Sequence, residues 1–140
     1  MKKINWGIIG LGHIANQFAN AFSIVDNAKI KGIASFDKDK LQSFKKRFNI
    51  EDKLCFNNYQ DLILSPDIDI IYIALPNSLH AKYISECINQ KKNILVEKPA
   101  FINLKDLSFL KGELQKENIF FTEAFMYRYL PYFKKVKEII

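Results

Sequence analysis

The stretch INWGIIGLGHIA, residues 4–15, decides the fold of this 140-residue chain. It begins as an apolar strand, predicted over Lys3–Gly10. It continues into a helix, predicted over Ile14–Ser23, in which apolar side chains recur at helical spacing. A glycine-rich turn joins the two elements. A strand, a tight glycine turn and a helix in this order are typical of the first unit of an α/β sheet.

The turn between this strand and helix has the pattern GxGxxA. Gly10 permits a tight turn, Gly12 lets a pyrophosphate approach the backbone, and Ala15 lets the helix pack closely on the strand. His13 and Ile14 lie where the free N–H groups of the helix N-terminus would face the phosphates; His13 is expected to border the turn and not to act in catalysis. The placement favours dinucleotide binding over a purely structural turn.

Strand and helix alternate about six times along the chain. Further strands are predicted over Lys29–Phe36, Lys53–Phe56, Ile68–Leu75, Asn93–Glu97 and Ile119–Thr122. Further helices are predicted over Lys38–Phe48, Tyr59–Leu64, Leu79–Asn89, Leu104–Glu117 and Pro131–Ile140. Apolar strands separated by helices predict an α/β fold, a doubly wound parallel sheet with helices on both faces.

The composition fits one ordinary domain. Hydrophobic residues make up 49% of the chain and the formal net charge is +6. The lysines are scattered over predicted helix faces and no nucleic-acid-binding motif is present, so we expect no nucleic-acid partner. No apolar run approaches the roughly 20 residues of a membrane helix. The basic and then apolar N-terminus lacks a cleavage pattern, so we interpret it as the first strand of a cytoplasmic protein.

The two cysteines, Cys55 and Cys87, are far apart and lack CxxC spacing. The two histidines do not complete a metal-ligand cluster with them. The sequence therefore predicts two buried free thiols and no metal.

The end of the second predicted strand bears on the choice between NAD and NADP. Asp37 could bind a ribose hydroxyl, but it lies one or two residues past the strand end where that acidic residue is expected. It could equally cap the helix that starts at Lys38. Ser35 is better placed and neutral, and it could donate to a 2′-phosphate with Lys38 or Lys40 nearby. The pattern slightly favours NADP.

A second loop, Leu75-Pro76-Asn77, follows the most apolar strand. Ligands of a doubly wound sheet bind beyond the carboxyl ends of its strands. Asn77 offers both donor and acceptor groups, although it could simply cap the next helix. His80, in the first turn of that helix, could hydrogen-bond a ligand or lie at the surface.

A third loop, Glu97-Lys98-Pro99, ends the next strand and should reach the same crevice. Pro99 biases Lys98 to an extended backbone and so gives its side chain a set direction. A lysine in a partly dehydrated crevice can exchange a proton with a substrate hydroxyl or carbonyl. Glu97 could orient Lys98 or contact the ligand. A solvated surface pair is the alternative.

Four motifs in this order, GLGHIA, LPNSLH, VEKPA and TEAFMYRYLP, make the chain resemble the nucleotide-binding half of the Gfo/Idh/MocA oxidoreductases. The last motif is most similar to the dihydrodiol dehydrogenase-like branch. The resemblance covers essentially the whole chain. It implies NAD(P) bound in a Rossmann domain, and oxidation or reduction of a hydroxyl carbon on a sugar, a cyclitol or a similar polyol.

The resemblance also implies roles for individual residues. Lys98 matches the family lysine implicated in proton transfer and substrate positioning. Pro76 and Asn77 match the loop beside the cofactor, with His80 in its helix. Arg128 matches an arginine near the active site or cofactor.

Family members are longer and carry a second α/β domain with most of the substrate site and the oligomer contacts. We therefore expect residues 1–123 to form the cofactor domain and residues 124–140 to begin the connection to a further domain. The whole protein is expected to form a homo-oligomer. The 140-residue chain is expected to be a truncated or partial form that binds cofactor with little or no turnover. A non-catalytic nucleotide-binding module that does not use Lys98 is the alternative.

Overall fold

The computed structural model describes residues 3–139 and shows one parallel β-sheet flanked by helices. The strands are β1 (Ile4–Ile9), β2 (Ala28–Ala34), β3 (Cys55–Phe56), β4 (Ile70–Ile73), β5 (Asn93–Val96) and β6 (Phe121–Glu123). The helices are α1 (His13–Asn20), α2 (Lys38–Phe48), α3 (Tyr59–Leu64), α4 (Asn77–Asn89), α5 (Leu104–Lys116) and α6 (Pro131–Ile139).

The strand order is β3-β2-β1-β4-β5-β6, and every neighbouring pair is parallel. The chain winds outward from β1 in one direction and then returns to add β4 on the other side of β1. This reversal between β1 and β4 is the topological switch point, where loops diverge and leave a crevice. The predicted doubly wound parallel sheet is confirmed.

Side chains of the central strands alternate between two cores because successive residues of a strand point to opposite faces. Ile8 packs with Ala15 and Phe44, on the face covered by α1 and α2. Ile9 packs with residues of α3, α4 and α5 on the other face, including Ile84. The sheet is therefore buried on both sides at its centre.

Coverage is less complete at β5. Ile94 and Val96 are buried on the α4–α5 face, whereas Leu95, on the opposite face, is only half-buried and borders a cavity. The expectation of helices over both faces thus holds at the centre of the sheet and weakens towards β6.

Several predicted boundaries, among them those of β2, β4 and β6, differ from the structure by two residues, and two further differences have a clear physical reason. The strand predicted over Lys53–Phe56 is shorter, because Asp52–Leu54 form a 3₁₀ turn that leaves only two residues to pair with β2. Helix α4 begins at Asn77, two residues before the predicted start, directly after Pro76 at φ −58°. Proline holds its φ near the helical value, so it suits a helix entrance.

Other differences are small. A 3₁₀ helix, Ala21–Ile24, follows α1, and Ile140 of the last predicted helix lies outside the described residues. Of the two predicted buried thiols, Cys87 is fully buried, whereas Cys55 is only half-buried. Within residues 3–139, no helix is both long and apolar enough to cross a membrane.

Candidate functional site

The turn after β1 requires glycine at Gly10. Its φ is +86°, a region that L side chains rarely adopt, and an added Cβ would lie 2.4 Å from the carbonyl oxygen of Ala74. The turn is thus pressed against the end of β4. This close approach places the entrance of α1 beside the loop that follows β4.

Gly12 has a different environment. It is the N-cap of α1, and a Cβ added there would meet no atom within 4 Å. No side chain caps this helix end. The free N–H groups and the positive end of the helix dipole therefore face open space, an arrangement that suits a phosphate.

The rest of the first motif supports the helix. Ala15 is fully buried, as close packing of α1 on the sheet requires. His13 is exposed at the edge of the turn, and one of its ring nitrogens lies 3.0 Å from Nε2 of Gln17, one helical turn away.

The end of β2 is organised by a cap. The backbone N–H of Lys40 donates to Asp37 Oδ1 at 3.0 Å, and Lys40 Nζ lies 3.3 Å from Asp37 Oδ2. These contacts lower the pKa of the Asp37 carboxyl, and the backbone hydrogen bond from Lys40 has the largest effect. The capping alternative is confirmed. Ser35 is buried and its Oγ accepts from the Asp37 N–H at 3.1 Å. The contacts of Ser35 and Asp37 with a ribose stay predictions.

The loop after β4 places Leu75 in the core and leaves Pro76 and Asn77 exposed. Asn77 is the first residue of α4 and not its N-cap, so the capping alternative is wrong for this residue. Its amide group faces solvent at the carboxyl edge of the sheet.

The alternative that His80 lies at the surface is wrong. Its side chain is fully buried. Its ring nitrogens lie 2.9 Å from the carbonyl oxygen of Pro99 and 2.8 Å from that of Leu75. A ligand contact through this ring would require the ring to leave one of these two carbonyl oxygens. The histidine therefore joins two loops of the crevice.

The loop after β5 is held on both sides of Lys98. The buried Tyr72 donates its hydroxyl to Glu97 Oε1 at 2.5 Å, and the Glu97 N–H donates to the Ile73 carbonyl at 3.0 Å. Burial, and secondly this bond to Glu97, raise the pKa of Tyr72. On the other side, the Ala100 N–H donates to Glu123 Oε1 at 2.7 Å.

Lys98 itself is exposed, and no described residue forms an ion pair or a side-chain hydrogen bond with it. Its ammonium group is thus free for a ligand, while the backbone that carries it is anchored. The arrangement presents one cation at the carboxyl edge of the sheet, on a fixed loop.

A mostly apolar cavity of about 380 Å³ borders Glu97, at the start of this loop. It brings together two predicted site residues, Ile14 and Glu97, with groups that the sequence analysis missed. The missed residues are Gln17, Phe18, Ala21, Tyr72, Leu95, Glu123, Ala124, Met126 and Tyr129. Tyr72 had a sequence signal, a hydroxyl within an otherwise apolar strand that needs a partner. Glu123 had none beyond its position at a strand end.

Arg128 is not part of this cavity. It is exposed in a 3₁₀ helix, Met126–Tyr129, and borders a separate hollow with Pro131 and Phe133. Among the described residues, no group of three or more His, Cys, Asp or Glu side chains could hold a metal ion.

Comparison with known proteins agrees with this geometry. The chain is 34% identical over 139 residues to an uncharacterised oxidoreductase of Bacillus subtilis, covering 99% of this chain and 40% of that protein. It is 31% identical over 137 residues to a trans-1,2-dihydrobenzene-1,2-diol dehydrogenase of Xenopus tropicalis, covering 96% of this chain and 41% of the relative.

Solved structures give the same result. A scyllo-inositol dehydrogenase from Lactobacillus casei superposes with a TM-score of 0.91 at 25% identity, over 99% of this chain and 41% of that one. A 3-ketoreductase from Actinomadura kijaniata, solved with NADP, superposes with a TM-score of 0.90 at 27% identity, over 99% and 43%. The chain thus spans about 40% of the length of the relatives it matches.

The relatives are named as dehydrogenases, reductases or oxidoreductases. The family model for the Gfo/Idh/MocA oxidoreductases, described as an NAD-binding Rossmann fold, matches residues 4–125. On this match, and on the sheet and glycine turn described above, the chain belongs to the Gfo/Idh/MocA oxidoreductase family and comprises its NAD(P)-binding Rossmann domain.

Proposed function

We propose that the chain is the cofactor-binding part of an oxidoreductase that passes hydride between nicotinamide C4 and a hydroxyl or carbonyl carbon of a sugar, a cyclitol or a similar polyol. One observation carries the proposal. The loops after β1, β4 and β5 follow three neighbouring strands at the switch point and beside it. They present an open helix N-terminus, an exposed amide and a lysine without an ion-pair partner among the described residues.

The cofactor would lie across this edge. Its pyrophosphate would bind at Gly12 and the α1 N-terminus, with Ile14 and Ala15 supporting the helix behind it. Leu75, Pro76 and Asn77 would border the cofactor on the β4 side. The bound cofactor supplies the hydride-accepting or hydride-donating ring.

Lys98 would handle the proton that accompanies hydride transfer. Oxidation of a hydroxyl carbon releases a proton from oxygen as hydride leaves carbon, and reduction of a carbonyl reverses both steps. An amine on an anchored loop can take or give that proton only if it reaches the oxygen. Because no described residue forms an ion pair with it, the Lys98 side chain is free to reach that oxygen, as a neutral amine that accepts the proton in oxidation and as an ammonium that donates it in reduction.

The proposal favours NADP slightly over NAD. The carboxylate of Asp37 is already engaged by the Lys40 N–H and ammonium, which reduces its availability for a ribose 2′-hydroxyl. Lys38 lies at the same strand end and could meet a 2′-phosphate directly. Lys40 could join it by releasing Asp37, and Ser35 through the small part of its surface that is exposed. Relatives of both kinds exist, since the scyllo-inositol dehydrogenase was solved with NAD(H) and the 3-ketoreductase with NADP.

The test is cofactor binding by two glycine variants. Both Gly12 and Gly112 have no atom within 4 Å of an added Cβ, so Gly12→Ala and Gly112→Ala should both fold. We expect Gly12→Ala to weaken NADPH and NADH binding by tenfold or more, because its methyl group occupies the space for the pyrophosphate. Gly112→Ala, in α5, should bind like the wild type.

Titration calorimetry or the change in reduced-nicotinamide fluorescence measures both affinities. The proposal fails if the wild-type chain binds neither cofactor at millimolar concentration. It also fails if the two variants lose affinity equally, because the loss would then be unrelated to the turn.

A further inference from the structure

His80 connects two loops that the sequence separates. The Leu75 carbonyl belongs to the loop after β4, and the Pro99 carbonyl belongs to the loop after β5. The His80 ring lies between their oxygens, at 2.8 Å and 2.9 Å, with no exposed surface. The ring therefore spans the gap between the two loops from beneath.

The chemistry of these contacts makes the ring a spacer. A backbone carbonyl can only accept hydrogen bonds, so a ring nitrogen must carry a proton to bond it. A neutral imidazole can donate to one carbonyl and the protonated ring to both. In either form, the rigid ring sets the separation of the two oxygens.

The loop after β5 depends on such ties. Glu97 is held by Tyr72 on β4, Ala100 is held by Glu123 on β6, and Pro99 is held by His80 on α4. Lys98 lies in the middle of this anchored stretch. The His80 contacts link the stretch to the Asn77 loop, which follows the neighbouring strand β4.

We infer that His80 is a positioning residue that fixes the Lys98 loop against the Asn77 loop, and that it acts from beneath the crevice without touching the ligand. The tie between the loops rests on the contacts above. Its effect on proton transfer rests on the proposed function of Lys98.

Three substitutions separate the two contacts. His80→Asn places an amide near the position of Nδ1 and can keep the bond to Pro99. His80→Gln places an amide near Nε2 and can keep the bond to Leu75. His80→Leu keeps neither. Ile84→Val is the matched control, since Ile84 is fully buried one turn further along α4 and its change removes only a methyl group.

Amide hydrogen exchange of the 140-residue chain without cofactor is the readout. In His80→Leu we expect faster exchange of the amides of Leu79, Glu97 and Ala100. The increase should be about five- to tenfold, because loss of one buried hydrogen bond shifts the opening equilibrium by about that factor. His80→Asn should restore protection at Ala100 but not at Leu79, and His80→Gln should do the reverse. Ile84→Val should show neither local effect.

The opposite responses of the Asn and Gln variants are the decisive signature, because general loosening of α4 would not produce them. They also remain measurable if His80→Leu fails to fold. The inference is overturned if His80→Asn and His80→Gln show the same exchange pattern. It is also overturned if neither His80→Leu nor His80→Gln changes the exchange at residues 97–100.

NADH and NADPH titrations on the same proteins distinguish this inference from the proposed function. If the exchange pattern appears and the wild type binds neither cofactor, the tie stands and the proposed function fails. If the wild type binds a cofactor and the exchange pattern is absent, the proposed function stands and the role of His80 fails.

Discussion

Gly10 and Gly12 show how differently two glycines of one motif are constrained. A side chain at Gly10 would collide with the β4 backbone, whereas one at Gly12 would meet only open space. The fold therefore requires the first glycine, whereas the second is explained by the pyrophosphate site that we propose. The sequence pattern alone cannot distinguish the structural reason for Gly10 from the ligand-binding reason for Gly12, because both residues are glycine.

Tyr72 gives a prediction at the same scale. Its hydroxyl is buried and donates to Glu97, and its folded-state pKa is raised. A raised tyrosine pKa means that the folded state holds the proton more tightly than the unfolded chain. The resulting stability is present below the unfolded pKa of about 10 and is lost as pH rises above it.

We therefore expect Tyr72→Phe to cost about 1.5–3 kcal/mol at neutral pH, the range for a hydrogen bond to a charged group. The cost should shrink as pH rises above about 10, because the wild type then loses the stability that its protonated tyrosine hydroxyl provides, and the variant lacks this hydroxyl at every pH. Urea unfolding of both proteins from neutral to alkaline pH measures the difference. A constant difference between the two would contradict the assignment. Tyr132→Phe, at a side chain that is 61% exposed, is the control.

The cap of α2 gives a prediction at the scale of an element. Asp37→Asn should keep the helix cap, since asparagine also accepts from the N3 N–H, and it removes the negative charge near a ribose. If a 2′-phosphate binds there, NADPH affinity should rise by about three- to tenfold while NADH affinity stays unchanged, the effect of removing one nearby surface charge. Paired titrations of both cofactors measure the two affinities. A fall in NADH affinity alone would instead identify Asp37 as a ribose ligand.

The same substitution has a defined pH dependence. The pKa of Asp37 is lowered in the folded chain, so its contribution to stability exists above the unfolded value and disappears as pH falls through the folded one. Wild type and Asp37→Asn should therefore differ least in acid.

Elements with side-chain caps were the most predictable from the sequence. Helices α2 and α3 begin and end where the pattern placed them, and Asp37 and Asn58 cap them. Strand β3 was overestimated, because local periodicity does not reveal that Leu54 turns into the core before pairing starts.

The site was less predictable than the fold. Motif order and strand ends identified Gly12, Asn77 and Lys98 as neighbours at one edge. The contacts of His80 with the Leu75 and Pro99 carbonyls could not be predicted, because they depend on the side-chain packing between β4, α4 and β5. Residues 19 positions apart in the chain become partners only once the sheet has formed.

At the scale of the whole molecule, apolar side chains collect near the C-terminal end of the described chain. Met126, Tyr129 and Ile139 are 66%, 76% and 77% exposed. Met126 and Tyr129 also border the apolar cavity beside Leu95. Surfaces of this kind favour association.

We expect the 140-residue chain to self-associate with rising concentration and to bind a hydrophobic dye. Light scattering over a concentration series, with dye fluorescence alongside, measures both. Replacing Met126 and Tyr129 with serine should reduce dye binding, whereas Phe109→Ser, an equally exposed change on α5, should reduce it less. A monodisperse monomer without dye binding would contradict the prediction.

The three loops of the crevice follow β1, β4 and β5, strands that lie side by side at the centre of the sheet. A dinucleotide that bridges these loops can bind only when all three strands are paired, so it recognises the folded chain and not the unfolded one. By mass action, the cellular supply of cofactor then sets the stability of the folded chain. A free cofactor concentration one hundred times the dissociation constant adds about 2.7 kcal/mol to the free energy of unfolding. A cell depleted of cofactor would hold a larger unfolded, protease-sensitive fraction of this chain.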